Sequence, residues 1–274
     1  MTKSFLNYLT LAVFSSTLFG VPLTAQDPKS NVLDPYKSLA GEPLDEASEL
    51  EKLTFSGTQQ WGERHLKSIK DGPRHLRDWK RFIVVPDPPS NTSARTKAEL
   101  DHLVGLKKLR TPEKQKVIEA ERASDGLEIG EFRLGGLPKT HPKLNDLIVF
   151  TFWEVEPIVM SIKFSKDRVR PSFLRPGIEP TIDLPVHSAY PSGHSTMCHC
   201  YAYVLADVMP QKIQEFEASA RSVAINREIA GVHYVSDSAA GRDLAKQIYD
   251  LLKKLPEYQA LVKAAKEEVA SKKN

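Results

Sequence analysis

Three short stretches carry residues whose types and spacing suit an oxyanion. The first runs from Lys163 to Arg170-Pro171, the second is Pro191-Ser192-Gly193-His194, and the third runs from Arg227 through His233 to Asp237. Together they offer three cations, a hydroxyl beside a glycine, and two imidazoles. One imidazole has a carboxylate four residues further on. That set can hold an oxyanion, attack its central atom and protonate the group that leaves.

Each stretch also has a plainer reading. Ser192 and Gly193 are ordinary residues at a helix start, where free N–H groups and the positive dipole end would in any case favour an anion. Lys163 and Arg170 suit a helix C-terminus, and Lys166 and Arg168 fit that dipole-complementing role better still. Arg170 can fork two donors onto adjacent oxygens, while Lys163 adds a point charge. His233 and Asp237, four apart, share a helical face. A carboxylate on one ring nitrogen fixes the tautomer and leaves the other lone pair for attack. The same pair can be purely structural, or half of a metal site, but no further ligand cluster completes one.

Helices must position these residues. Apolar positions recur with helical rhythm from Pro142 to Ser165, at Leu144, Leu147, Ile148, Thr151, Val155, Ile158, Val159 and Ile162, with Pro157 expected to kink the helix. Further helices are predicted over Thr96 to Arg110, from Thr111-Pro112 to about Ala123, over Gly193 to Val208, Gln211 to Ile229 and Ser236 to Leu255, the last ended by Pro256. A loop with five prolines, Pro171 to Pro191, leads into the serine turn. Few segments alternate like strands. The fold class expected is all-α, a packed helical bundle.

The chain has 274 residues and a net charge of +3 with the two signs interspersed, so it lacks the concentrated basic face of a nucleic-acid binder. Residues 1–25 read as a signal peptide: Lys3 precedes a mostly apolar run, and Ala25 offers a small residue before Gln26. No later segment is long and apolar enough to span a bilayer. The expectation is an exported protein without stable membrane insertion, periplasmic if the source is Gram-negative. Residues 26–83 read as an N-terminal extension, with short helices near Asp45 to Leu53 and Trp61 to Ile69, and the breaker Pro86-Asp87-Pro88-Pro89 sets residues 84–274 apart as the main domain. Cys198 and Cys200, two apart on a helix, point to nearly opposite sides and read as buried thiols. Oligomeric state is left open, with a homo-oligomer allowed.

In this order the three stretches resemble the type-2 phosphatidic acid phosphatase superfamily, which includes soluble bacterial acid phosphatases and vanadium haloperoxidases. The chain is most similar to the bacterial class A non-specific acid phosphatases, through Tyr190-Pro191-Ser192-Gly193-His194 and the proline-rich Val85 to Pro89, over roughly residues 84 to 270. The resemblance implies a helical bundle of the acid phosphatase/vanadium haloperoxidase type, acting on small phosphate monoesters. It makes His233 the nucleophile of a phosphohistidine intermediate, oriented by Asp237, and His194 the general acid and then the base for water. Lys163, Arg170, Ser192, Gly193 and Arg227 would hold the phosphoryl oxygens. It implies no metal and no cofactor, with vanadate as an inhibitor and phosphotransfer to alcohols as a side activity. The alternative it carries is a vanadium-dependent haloperoxidase, in which vanadate is the cofactor and His233 its axial ligand.

The sequence departs from the class A pattern at Ser172, where Phe is usual, at Asn226 and Glu228 beside Arg227, and at Ala230, where Cys is frequent. Adjacent helical side chains diverge, so Glu228 is expected to point to solvent. Asp237 is expected to raise the pKa of His233, and a bound phosphate that of His194, giving an acid-side, bell-shaped pH profile.

Overall fold

The computed structural model describes residues 46–123 and 126–272. The signal-like residues 1–25 and positions 26–45 of the extension lie outside the described residues.

Among the described residues the chain is all-α apart from one short hairpin. The helices are α1 (Glu46–Lys52), α2 (Phe55–Thr58), α3 (Glu63–Asp71), α4 (Ala94–Leu106), α5 (Pro112–Ala120), α6 (Leu137–Thr140) and α7 (Pro142–Lys166), followed by α8 (Pro171–Leu174), α9 (Gly193–Val208), α10 (Ile213–Ile229), α11 (Val235–Leu252) and α12 (Pro256–Ser271). Strands Glu128–Ile129 and Phe132–Arg133 pair antiparallel in the glycine-rich stretch between α5 and α6. Several starts follow local chemistry. Thr111 caps α5, its side chain accepting from the Lys114 N–H, with Pro112 in the first turn. α7 begins at Pro142 and continues through Pro157 to Lys166, closing on left-handed Asp167.

Helix α9 sits at the centre, against α7, α10, α11 and α12. Its buried Cys198, Cys200, Tyr201, Val204 and Leu205 meet Leu144, Leu147, Val155 and Ile158 of α7 and Leu244, Ile248 and Leu252 of α11 in one apolar cluster. Each such side chain contributes about 1.5–3 kcal/mol relative to exposure. Both cysteines are free and buried, as the spacing suggested. α11 stops at Leu252, short of the expected Leu255, and Pro256 opens α12 as its first residue, a helix the apolar pattern did not announce. Tyr258, Val262, Ala265 and Val269 bury its inner face.

Residues 46–83 pack onto this body. α3 lies along α7. Two buried α7 carboxylates hold the segment: Glu154 accepts from the backbone N–H of His75 and Leu76 and lies 2.8 Å from His75 Nδ1. Glu156 accepts from Ser68 Oγ and lies 3.4 Å from His65 Nδ1. These charges inside α7 fit the finding that no helix among the described residues is long and apolar enough to cross a membrane.

α11 and α9 cross closely enough to need Gly241. A Cβ there would lie 2.7 Å from the Ser192 carbonyl oxygen and 3.1 Å from the Thr196 nitrogen. Gly241→Ala is expected to push the start of α9 away from α11 and cost about 1–3 kcal/mol. Urea denaturation of the purified variant reads this directly; an unchanged midpoint would show that the crossing has slack.

Candidate active site

The three sequence stretches converge where α7 ends, α9 begins and α10 turns into α11. Gly231, at φ +79°, makes the turn from α10 possible, and a Cβ there would strike Ile178 Cγ2 at 2.7 Å. The turn delivers His233 two residues before α11.

His233 and Asp237 meet, but not on one helical face as expected: His233 precedes the helix and Asp237 lies in its first turn. His233 Nδ1 lies 3.0 Å from Asp237 Oδ2, which also accepts from the Tyr234 N–H at 3.0 Å. Because a carboxylate only accepts, Nδ1 carries the proton and Nε2 keeps its lone pair. Nε2 faces Arg170 Nη1 at 3.3 Å. The Asp237 backbone carbonyl takes the Ser192 N–H at 2.9 Å, so the same residue ties the serine turn to the histidine.

Ser192 caps α9, its Oγ accepting from the Ser195 N–H, which leaves its own O–H free to donate. Gly193 begins the helix beside Lys163; a Cβ at 193 would lie 3.7 Å from Lys163 Cε. Lys163 is fully buried and gives its ammonium to the carbonyls of Ser188 and Ala189 at 2.7 and 3.1 Å. Arg170, also fully buried, donates to the carbonyls of Val232, His187 and Ser188. Lys163 and Arg170 thus share the Ser188 carbonyl.

Arg227 reaches the site from α10. Its Nη2 donates to Ile118 O and to Glu121 Oε2, both at 2.8 Å. His194 Nε2 lies 2.9 Å from the Glu121 carbonyl oxygen. Glu121, just past α5, therefore holds both residues, while its Oε1 takes the Asn226 amide at 2.8 Å. Arg227 Nε, Arg227 Nη1 and Arg170 Nε are buried donors without a hydrogen-bond partner. Buried N–H groups of this kind are costly unless something accepts from them, and an oxyanion is the acceptor that matches their charge.

Burial controls the site's titration. Burial, then Arg170, hold the Lys163 ammonium well below its ordinary value. The Arg170 guanidinium is lowered by burial to about 10. His233 is pushed well below its ordinary value by burial first and then by Arg170; Asp237 pulls the other way and loses. This corrects the expectation that Asp237 would leave His233 with a raised pKa: the cost of a desolvated imidazolium among cations is larger than the gain from one carboxylate. Burial and then Arg227 push His194 down to about 3. Burial would raise Asp237, but Arg168 and the His233 hydrogen bond hold its carboxyl well below the usual range.

Several residues here escaped the sequence reading. Arg168, taken for a dipole complement, is buried with Nη1 2.6 Å from Asp237 Oδ1 and 2.8 Å from Ser236 Oγ. Lys166 does face outward, pairing with Asp87. Glu228 is not turned to solvent: it is 6% exposed, and burial lifts its pKa to about 7. Glu121, Glu99 and His187 lie outside the three stretches. An acidic residue whose only signal is a distant partner leaves no local pattern to read. Among the described residues no group of three or more His, Cys, Asp or Glu could hold a metal ion.

Residues 147–249 match the family model described as the PAP2 superfamily. The matched part of the chain carries all three stretches. It is 32% identical over 88 residues to a non-specific acid phosphatase of Salmonella typhimurium, covering 32% of this chain and 35% of that protein. It is 31% identical over 87 residues to one of Providencia stuartii, covering 32% of this chain and 35% of that one. The chain spans about a third of the length of the curated relatives it matches. Among solved structures it is similar to an apo-type bacterial vanadium-dependent chloroperoxidase, with TM-score 0.56, 15% identity, and coverage of 76% of this chain and 57% of that one. A bacterial vanadium-dependent iodoperoxidase gives TM-score 0.52 at 15% identity, covering 80% and 64%. These two likenesses show a common fold.

The imidazoles of His187, His194, His199 and His233 are all held below their ordinary values, burial being the first cause. An unfolded chain takes protons on all of them as pH falls through about 6.5, and the folded chain does not, so stability falls with pH. Glu228, at about 7, acts oppositely, because its folded form takes up a proton first, but it is one group against four. Calorimetry of the ligand-free protein should show Tm falling by several degrees from about pH 7 to about pH 5. Inorganic phosphate should recover part of the loss by binding the folded state. A Tm that rises toward acid would contradict the neutral, buried imidazoles.

Proposed function

We propose that the protein is an exported acid phosphatase that hydrolyses phosphate monoesters through a phosphohistidine. The observation that carries this is the orientation of His233: Nδ1 is tied to Asp237, and Nε2 is turned toward Arg170. Its lone pair therefore points to where a phosphoryl group held by Arg170 would sit. Local identity to the two acid phosphatases favours this reading over a peroxidase, since the peroxidase likeness is one of fold. Export is the part of the proposal that rests on residues 1–25 alone.

The chemistry follows from the groups present. The free donors of Arg227 and Arg170, the Lys163 ammonium, the Ser192 hydroxyl and the N–H groups at the start of α9 would bind the non-bridging oxygens and stabilise their charge in the transition state. His233 Nε2 attacks phosphorus in line as the ester P–O bond breaks. Protonated His194 gives a proton to the departing oxygen. It then takes one from water, whose oxygen attacks phosphorus and breaks the P–N bond, returning His233 and inorganic phosphate. His194 sits near 3 without ligand, so its proton depends on the charge of the bound phosphate. This proton requirement is what gives the acid-side profile. No resident metal is assigned a step, the cations occupying the positions where one would act. Vanadate fits the same donors, and in the second reading it would supply halide oxidation there.

Purified wild-type protein should hydrolyse an aryl phosphate with or without chelator, and vanadate should inhibit it competitively. His233→Ala should abolish turnover in a protein that still folds, and quenching the wild type in base should trap acid-labile phosphate on His233. Phosphate trapped elsewhere would overturn the assignment, and bromide oxidation with vanadate in place of ester hydrolysis would favour the peroxidase.

His194→Asn should slow alkyl phosphates at least tenfold more than activated aryl phosphates, because a phenolate leaves with little help from an acid. Equal losses in single-turnover measurements would reduce His194 to a phosphate-binding group.

A further inference from the structure

The scheme above gives Arg168 no part, yet its surroundings are built around it. The side chain is 4% exposed and its guanidinium lies 3.7 Å from the centre of the Tyr234 ring. Nη1 donates to Asp237 Oδ1 at 2.6 Å, the oxygen that His233 does not use. Behind it stands Glu99 of α4, whose Oε1 takes the Ser236 N–H at 3.0 Å and whose Oε2 takes the Ser236 hydroxyl at 2.8 Å and approaches Arg168 Nη2 at 3.5 Å. The order is Glu99, Arg168, Asp237, His233: carboxylate, cation, carboxylate, imidazole.

We propose that Arg168 is a positioning residue that sets how far into acid the site works, by clamping the Asp237 carboxylate from the side opposite His233 so that His233 keeps its Nε2 lone pair. This rests on the reading of His233 as the nucleophile. A lone His–Asp pair would favour the imidazolium, because proton uptake would make a neutral ion pair out of a buried anion. With Arg168 already paired to that anion, uptake would instead leave a net positive charge on the Arg168, Asp237 and His233 trio, beside the Lys163 and Arg170 cations that also oppose it.

The other charges around His233 push the same way or act at a distance. Lys163 from α7 and Arg170 from the following stretch disfavour the imidazolium. His187 sits behind Arg170, its Nδ1 3.1 Å from Nη2, and is itself held well below its ordinary value. Glu228 from α10 and Glu99 interact with the Asp237 end of the row. Arg168 is the largest favourable influence on the ionised Asp237 carboxyl, and it touches no reacting atom.

The test is a comparison of wild type, Arg168→Gln, Arg168→Lys and Glu99→Gln. Two readouts are taken: the acid limb of kcat/KM on an aryl phosphate, and the NMR titration of the His233 imidazole in ligand-free protein, assigned with His233→Gln. Arg168→Gln should move both midpoints up by about one pH unit, and Arg168→Lys, which keeps the cation, should recover at least half of that shift. A merely structural Arg168 would lower kcat evenly across pH. A folded Arg168→Gln protein with unmoved midpoints would therefore overturn the proposal. Should Arg168→Gln not fold, Glu99→Gln decides: it leaves the guanidinium to Asp237 alone, so the midpoints should stay or fall, and a rise would overturn the clamp. A moved NMR midpoint in a protein with no phosphatase activity would uphold the clamp and sink the phosphatase reading.

Discussion

The Asp237 carboxylate is buried without exposure, and taking an ionised group out of water is affordable only when it is paired with an opposite charge and bound by hydrogen-bond donors. Here Arg168, the His233 ring and the Tyr234 N–H supply those donors, while the backbone carbonyl of the same residue holds the Ser192 N–H. Three separate pieces of chain therefore meet at one anion: the stretch after α7, the α10–α11 turn running into α11, and the serine turn before α9. Moving any of them leaves a buried charge short of a partner.

Around that anion lies an excess of buried cations. Lys163, Arg170 and Arg227 would repel one another in an apolar pocket, and the fold answers with carbonyl oxygens and one further carboxylate, Glu121. The partnering is incomplete, since three guanidinium nitrogens of Arg170 and Arg227 keep unused N–H bonds. Burial first, and these cations next, keep the imidazoles neutral. A doubly charged ligand would satisfy both needs together, meeting the spare donors and making room for a proton on His194.

How far the sequence could be read depended on the range of the interactions. Helical rhythm located α7 because Leu144, Leu147, Val155 and Ile158 share a face that any apolar neighbour would bury, and Thr111-Pro112 marked the start of α5 through purely local chemistry. The His233–Asp237 contact was legible because it is local, although it joins a residue before α11 to one in its first turn and not two positions on one helical face. α12 was missed because a proline that ends one helix and a proline that begins the next look alike. Arg168 and Glu228 were misjudged because burial is set by tertiary packing: Arg168 meets Glu99 and Asp237, each 69 residues away, and Glu228 is covered where α10 packs in the bundle. Glu121 gave no sign at all: its partners, Arg227 and His194, are separated from it by most of the domain.

The two carboxylates that α7 buries against residues 65–76 have a bearing on where this protein can be divided. The family match begins at residue 147, which invites trimming the gene to a minimal catalytic piece. Glu154 has no exposure, and His75 and Leu76 supply its hydrogen bonds. His65 and Ser68 do the same for Glu156, and the His65 ring rests at 4.9 Å on that of His187, which touches Arg170. A shortened gene product would present two orphaned anions along the helix that carries Lys163. The upstream segment and the helix that bears Lys163 are tied by buried charge, and a boundary drawn between them cuts through those contacts.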